Sequence, residues 1–424
     1  MNAEPQWMPR EPRVIPAIDN LRSVVILLVV AVHVLLPYFS FLPAKPYAFD
    51  APPYAWRTFP LVDVHRLPIG FDILSAWVDV FVMATFFLLS GLFVWPCLAR
   101  KGAARFMGER ALRLGLPFAT AVFLLMPLAA VPSYLQTASH PSLAGFALAF
   151  LGLPFWPSGP MWFLWVLLAF DAVVAAGFAL YPRRANELVM RLSSSARTRP
   201  LKFAAGVLVA SAAGYIPLAL LFGPLPWGQF GPFSIQLCRP AQYAVYFFAG
   251  VVIGACGMER EFIGAKGWLA RHWRGALAGA IVCFGFWLLA SAGTMRNPSA
   301  SLALKAADAA AYVLACFASC WAALALVTRF AGSRGGVRDS LRDNAYGIYL
   351  VHCVFAFWLQ FALLGTDVPA IVKAGFIFAL TLALSWSTAA LLRRLPGVAI
   401  VIGSGQRTKR DLPSLIHPAL PFAD

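Results

Sequence analysis

His33 stands in an apolar run that begins immediately after Arg22, in the stretch Asp19-Asn20-Leu21-Arg22-Ser23 followed by Val24 to Val32. An imidazole in hydrocarbon is costly unless paired, so its presence asks for a chemical reason. At 100° per residue, the eleven steps from Arg22 to His33 end about 20° from a whole number of turns. The two side chains therefore share a helix face, about 16 Å apart along the axis. One basic group then sits at a membrane surface and one titratable group lies at or beyond the midplane. With an unperturbed pKa of about 6.5, an imidazole can abstract a proton from a hydroxyl in a polar cavity. The alternative is a histidine that packs between helices or lines a pore.

Other groups could act with it. Arg110 and Arg113, in Glu109-Arg110-Ala111-Leu112-Arg113, are spaced i,i+3 at the start of an apolar run. Two guanidinium forks there can clamp phosphates, or simply anchor the helix at the surface. Glu109 is a weak candidate acid, since Arg105, Arg110 and Arg113 all stand near it in sequence. Asp79 and Asp171 both fall inside apolar runs. Either can orient His33 as its acid partner, and either can equally cap a polar network between helices. His352, in Tyr346-Gly347-Ile348-Tyr349-Leu350-Val351-His352, is a second candidate catalytic histidine or a hydrogen-bonded structural one. His65, with Asp63 and Arg66, belongs to a loop that can meet a polar acceptor or face water. Cys316 and Cys320 read as packing, and no three ligands stand at metal spacing. No Walker-type loop is present; Gly332 to Arg338 is basic and glycine-containing, a weak phosphate signal.

The elements that must position these groups are membrane helices. The 424 residues are 60% hydrophobic and 12% charged, against about 25% charged in an ordinary soluble domain. Mean hydropathy is +0.73. Stretches able to cross about 30 Å of hydrocarbon fall near 22–40, 72–95, 114–135, 161–181, 203–223, 240–257, 275–293, 306–328, 345–365 and 371–392. The sixth is short, and Pro117 and Pro127 predict a kink in the third. The apolar piece 142–156, broken by Pro154 and Pro157, reads as re-entrant or surface-lying. The run after Arg22 is too long for a signal peptide and is expected to stay as a membrane helix.

The net charge of +16 could suggest nucleic acid, but its distribution reads as topology. Of the 34 Lys and Arg, 27 fall on one side of the ten-span arrangement and 7 on the other. That asymmetry predicts an all-α polytopic bundle of ten transmembrane helices with both termini cytoplasmic. Its parts are a cytoplasmic tail 1–21, a membrane domain 22–392 and a cytoplasmic tail 393–424.

At these residues the chain resembles the acyltransferase-3 family of polytopic membrane acyltransferases. Arg22 followed by His33 is similar to that family's arginine-x10-histidine element. Phe86-Phe87-Leu88-Leu89-Ser90-Gly91 followed by Arg110 and Arg113 resembles its second and third span region. Trp162-Phe163-Leu164 and Tyr346 to His352 resemble its later signatures. The likeness covers roughly residues 14–395, with no fused soluble hydrolase-like domain. Within the family, the Ile18–Arg22 start and the Phe87–Arg113 region look more like glucan-modifying members of the periplasmic-glucan succinyltransferase type than like O-antigen acetylases.

The resemblance implies an enzyme of the inner membrane that moves an acetyl or succinyl group from cytoplasmic acyl-CoA to a carbohydrate hydroxyl. It implies His33 as catalytic histidine, and Arg22, Arg110 and Arg113 as groups that hold the phosphorylated donor or shape the site. Asp79, Asp171 and His352 remain candidate catalytic partners. No tightly bound cofactor or metal is expected: acetyl-CoA or succinyl-CoA is a substrate, and the partners are a glycan acceptor and membrane lipids. A proton-coupled secondary transporter would also place His, Asp and Arg in a helical bundle. A non-catalytic membrane scaffold explains the spans but not the aligned Arg22 and His33.

Overall fold

The computed structural model describes residues 16–255, 257, 268–297, 299–331 and 335–402. The tails before Pro16 and after Ile402, Cys256, and the Gly332–Arg334 part of the basic loop lie outside the described residues. Within them the chain is helical apart from one small hairpin, and nine helices are long and apolar enough to cross a membrane.

The first helix, α1, is Pro16–Leu35. It ends in a single 3-10 turn, Leu36–Tyr38. A loop then leads to α2, Ile69–Gly91, followed closely by α3, Val94–Lys101. Two hydrogen bonds show that α1 and α2 run antiparallel. Leu67 N–H donates to Tyr38 O at one end, and Arg22 Nη2 donates to Leu89 O at 3.3 Å at the other.

The third span is a continuous helical run, Ala103–Thr137, that contains two π turns. It consists of α4 (Ala103–Arg110), a π turn at Ala111–Gly115, α5 (Leu116–Thr120), a π turn at Ala121–Leu125, and α6 (Met126–Thr137). Each π turn lies just before Pro117 or Pro127. Proline offers no N–H, so carbonyls one turn back lose their helical donor. Side chains from elsewhere replace it. Tyr346 O–H donates to Arg113 O at 2.7 Å and Trp156 Nε1 to Val122 O at 2.9 Å. Trp358 Nε1 donates to Leu128 O at 3.0 Å, the carbonyl four residues before Pro132.

The 142–156 piece holds only a nine-residue helix, α7 (Leu143–Leu151), too short to span. Next come α8 (Trp162–Leu180), the basic helix α9 (Pro182–Thr198) and α10 (Pro200–Phe222). Strands β1 (Trp227–Phe230) and β2 (Phe233–Gln236) pair antiparallel, with Trp227 opposite Gln236.

The short sixth stretch is α11, Pro240–Ala255, about 24 Å long at 1.5 Å per residue. It begins beside Asp79, well inside α2, which explains why it is shorter than its neighbours. Its Gly250 and Gly254 press directly on α2. A Cβ on Gly250 would collide with Leu88 O, and one on Gly254 with Leu92 O. The bundle closes with α12 (Trp268–Arg271), α13 (Trp273–Arg296), α14 (Leu302–Phe330), α15 (Gly336–Ala362), α16 (Ala370–Leu392) and α17 (Pro396–Val401). Helix α1 packs against α2, α14, α15 and α16, so His33 belongs to a central helix. Residues such as Phe123, Phe286, Leu289 and Leu221 are exposed on the outside, as a lipid-facing surface requires.

Candidate active site

His33 is the third residue from the end of α1. The last carbonyls of a helix have no intrahelical donor, and Gln360 of α15 supplies one. Its buried Nε2 donates to His33 O at 2.9 Å and to Val34 O at 3.0 Å. The His33 ring is fixed from the other direction, with Nδ1 2.7 Å from Val29 O. A carbonyl oxygen can only accept, so Nδ1 carries the proton and Nε2 keeps a free lone pair. His33 itself is half-buried.

His352 lies against it, with ring centroids 5.0 Å apart and planes at 72°. It repeats the same device, with Nδ1 2.7 Å from Tyr349 O. His352 is fully buried, and its Nε2 is 3.4 Å from Cys353 Sγ. Tyr349 leads away from the pair. Its hydroxyl donates to Pro160 O, and its ring lies 6.5 Å from that of Phe163, which packs on Phe86 and Phe87. The Tyr346–His352 and Trp162–Leu164 segments therefore meet in space, and both tyrosine hydroxyls serve backbone carbonyls.

Neither aspartate is brought to His33. Asp79 pairs with Arg239 at the start of α11, Arg239 Nη2 lying 2.5 Å and Nη1 3.1 Å from the carboxylate oxygens. Arg239 Nη1 also donates to Tyr243 Oη at 3.3 Å. Asp171 is fully buried and pairs with Arg110 Nε at 3.2 Å. In both cases a span carboxylate finds a guanidinium, the partner that best suits its fork geometry. A third pair, Lys373 Nζ with Asp63 Oδ2 at 2.9 Å, is completely buried, and His65 Nδ1 lies 3.2 Å from Asp63 Oδ1. That contact ties the 41–68 loop to α16.

At the other end of α1, Arg22 lies 4.0 Å from Asp19 and stacks over the Phe93 ring at 4.6 Å. Arg110 faces inward to Asp171, whereas Arg113, after the α4 boundary, is exposed. Glu109 is held by Lys101 and Arg105. The arrangement has a basic end around Arg22, Arg100, Lys101, Arg105, Arg110 and Arg113, and a histidine pair about 16 Å from Arg22 along α1.

A family model described as an acyltransferase domain matches residues 15–390, almost the whole chain. The chain belongs to the acyltransferase-3 family. Among curated proteins, no relative matches it. Family membership and the polytopic helical architecture make it a multi-pass membrane acyltransferase.

In this acyltransferase, three residues at the site were not singled out by the sequence. Gln360 is one polar residue in an apolar helix, two turns beyond His352 on the same face, a spacing that is legible once His352 is suspected. Cys353 reads as an ordinary buried thiol until the fold sets it beside two imidazoles. Arg239 stands outside every long apolar run, so its descent to Asp79 depends on where the hairpin places α11.

Proposed function

We propose that this protein transfers an acetyl or succinyl group from cytoplasmic acyl-CoA to a hydroxyl of an extracytoplasmic or membrane-associated carbohydrate, in the inner membrane. The subgroup we favour is the glucan-modifying, periplasmic-glucan succinyltransferase type. The observation that carries the reading is His33, held by Val29 O so that Nε2 is free to accept a proton.

CoA is polyanionic, and the basic end of the bundle is where its phosphates are favoured. Arg22, Arg110 and Arg113 would hold them. The pantetheine arm is long enough to carry the thioester from there to the level of His33. The acceptor hydroxyl gives its proton to His33 Nε2 as its oxygen attacks the thioester carbonyl. Collapse of the tetrahedral intermediate breaks the C–S bond, and the thiolate takes its proton back from the imidazolium. A single ternary complex accounts for this without an acyl-histidine. The negative end of the α1 dipole lies beside the imidazolium that forms, which favours it.

The test uses purified protein in nanodiscs with labelled acetyl-CoA or succinyl-CoA and a glucan acceptor. His33→Ala should lower transfer by roughly 10²- to 10⁴-fold, the usual worth of a general base. Transfer that survives the substitution unchanged would overturn the assignment. Donor-independent solute flux that the same change abolishes would point to transport instead.

A further inference from the structure

One ring nitrogen of His33, one of His352 and the Sγ of Cys353 lie within 4.8 Å of one another. We propose that these three side chains form a binding site for a Zn²⁺-class cation, and that a bound ion switches transfer off by taking the lone pair of His33. The first half stands on geometry alone; the second rests on the base role given to His33 above.

Three observations support the site. Both histidines donate Nδ1–H to a backbone carbonyl at 2.7 Å, Val29 O for His33 and Tyr349 O for His352. This is the outer hydrogen bond that metal-binding imidazoles make, and it leaves Nε2 unprotonated on both rings, with His352 Nε2 already facing the Cys353 thiol. The second is spacing. Zn–S and Zn–N bonds of about 2.3 and 2.0 Å at tetrahedral angles set S···N edges near 3.5 Å. The Sγ of Cys353 is 3.4 Å from His352 Nε2. Closing the remaining separation to a tetrahedral edge takes a movement of about 1 Å. The third is burial: His352 and Cys353 are fully buried, while His33 is half-buried.

The donor set selects the ion. Two imidazoles and a thiol with no oxygen ligand suit zinc or its cobalt surrogate and offer nothing to magnesium or calcium. Binding replaces the Cys353 S–H proton by the metal, releasing one proton to solvent and leaving a complex of net charge +1. Asp79 and Asp171 are paired with Arg239 and Arg110, so neither of these two offsets that charge. The ion should therefore be held reversibly and removed by a chelator. Three protein ligands leave a fourth coordination position, which water or a substrate thiol can take.

The test is spectroscopic first. Purified full-length protein in nanodiscs is stripped with a chelator and titrated with Co²⁺. A near-ultraviolet thiolate-to-cobalt band and tetrahedral visible bands are expected at one equivalent, both displaced by Zn²⁺. Cys353→Ser should remove the charge-transfer band, and Cys353→Ala provides a second thiol-free variant should the serine fail to fold. The second arm measures transfer under Zn²⁺. Wild type should be inhibited and recover on chelation, whereas Cys353→Ser, measured against its own metal-free rate, should need at least about tenfold more Zn²⁺ for the same fractional inhibition. No cobalt–thiolate band, or a band unchanged in both Cys353 variants, would overturn the site. A band with no loss of transfer would overturn the switch alone. Absence of any transfer in wild type would count against the proposed function, and the absorption result would still decide the site.

Discussion

His33 and His352 meet edge to face at 5.0 Å, each with Nδ1 committed to a carbonyl of its own helix. Two imidazoles so close cannot both be charged without mutual repulsion in a desolvated bundle. The pair therefore has room for one added proton, which is what a base needs during transfer and gives up afterwards.

The pair's asymmetry makes the two positions separable. His33 is half-buried at a helix end, whereas His352 is fully buried mid-helix. His352→Gln should lower kcat by about 10-fold while leaving the donor KM unchanged, against the roughly 10²- to 10⁴-fold loss expected for His33→Ala. Initial rates at saturating acyl-CoA check this. A kcat unchanged in His352→Gln would assign His352 to packing.

Arg110 and Arg113 are predicted to differ. Arg110 neutralises the fully buried Asp171, so Arg110→Ala leaves an unpaired carboxylate in the bundle. Breaking such a pair costs on the order of 3 kcal/mol, visible as a lower unfolding temperature. Asp171→Asn in the same chain should restore much of it. Arg113 is exposed, so Arg113→Ala should weaken donor binding about 10-fold with no change in unfolding temperature. Equal destabilisation by the two substitutions would contradict this division.

The spans and the first histidine were legible in the sequence because bilayer thickness and the cost of a buried imidazole act on local sequence. Partners were not. Asp79 and Asp171 read as candidate companions of His33 because each needed a counter-charge, but the sequence does not say which guanidinium arrives. Arg239 reaches Asp79 only because α11 starts deep beside α2, held there by Gly250 and Gly254. Tyr346 read as part of a signature with chemistry in it. Its hydroxyl instead serves Arg113 O, a carbonyl left without its helical donor by Pro117. The fold of the third span and the tyrosine of the ninth thus explain each other, across a separation no local pattern records.

The α2–α11 contact should be intolerant of any side chain. Leu88 O and Leu92 O lie where Cβ atoms on Gly250 and Gly254 would stand. Small residues at four-residue spacing let membrane helices approach to backbone contact. Gly250→Ala should force the helices apart, lower the unfolding temperature and move Arg239 away from Asp79. Gly279→Ala, at a position with nothing within 4 Å of the added atom, is the control and should be neutral. Thermal unfolding of both variants in detergent decides it.

Gln360 should act on rate through position rather than contact with substrate. Its amide nitrogen holds the carbonyls of His33 and Val34, the last turn of α1, and no hydrogen bond to its buried Oε1 is made. Gln360→Leu keeps similar bulk and removes both donors, leaving two helix-end carbonyls unsatisfied at a cost of about 1–3 kcal/mol. The final turn of α1 is then free to shift, and the His33 ring moves with it. A displacement of about 1 Å at a catalytic group can cost as much as 10²-fold in rate. The expected outcome is a kcat reduced at least about 10-fold with the donor KM unchanged, because the basic end that would hold CoA is about three turns away. A purely structural residue would lower the yield of folded protein and leave kcat per active molecule intact. Titrating active molecules before measuring kcat separates these outcomes, and an unchanged kcat per folded molecule would remove Gln360 from any role at His33.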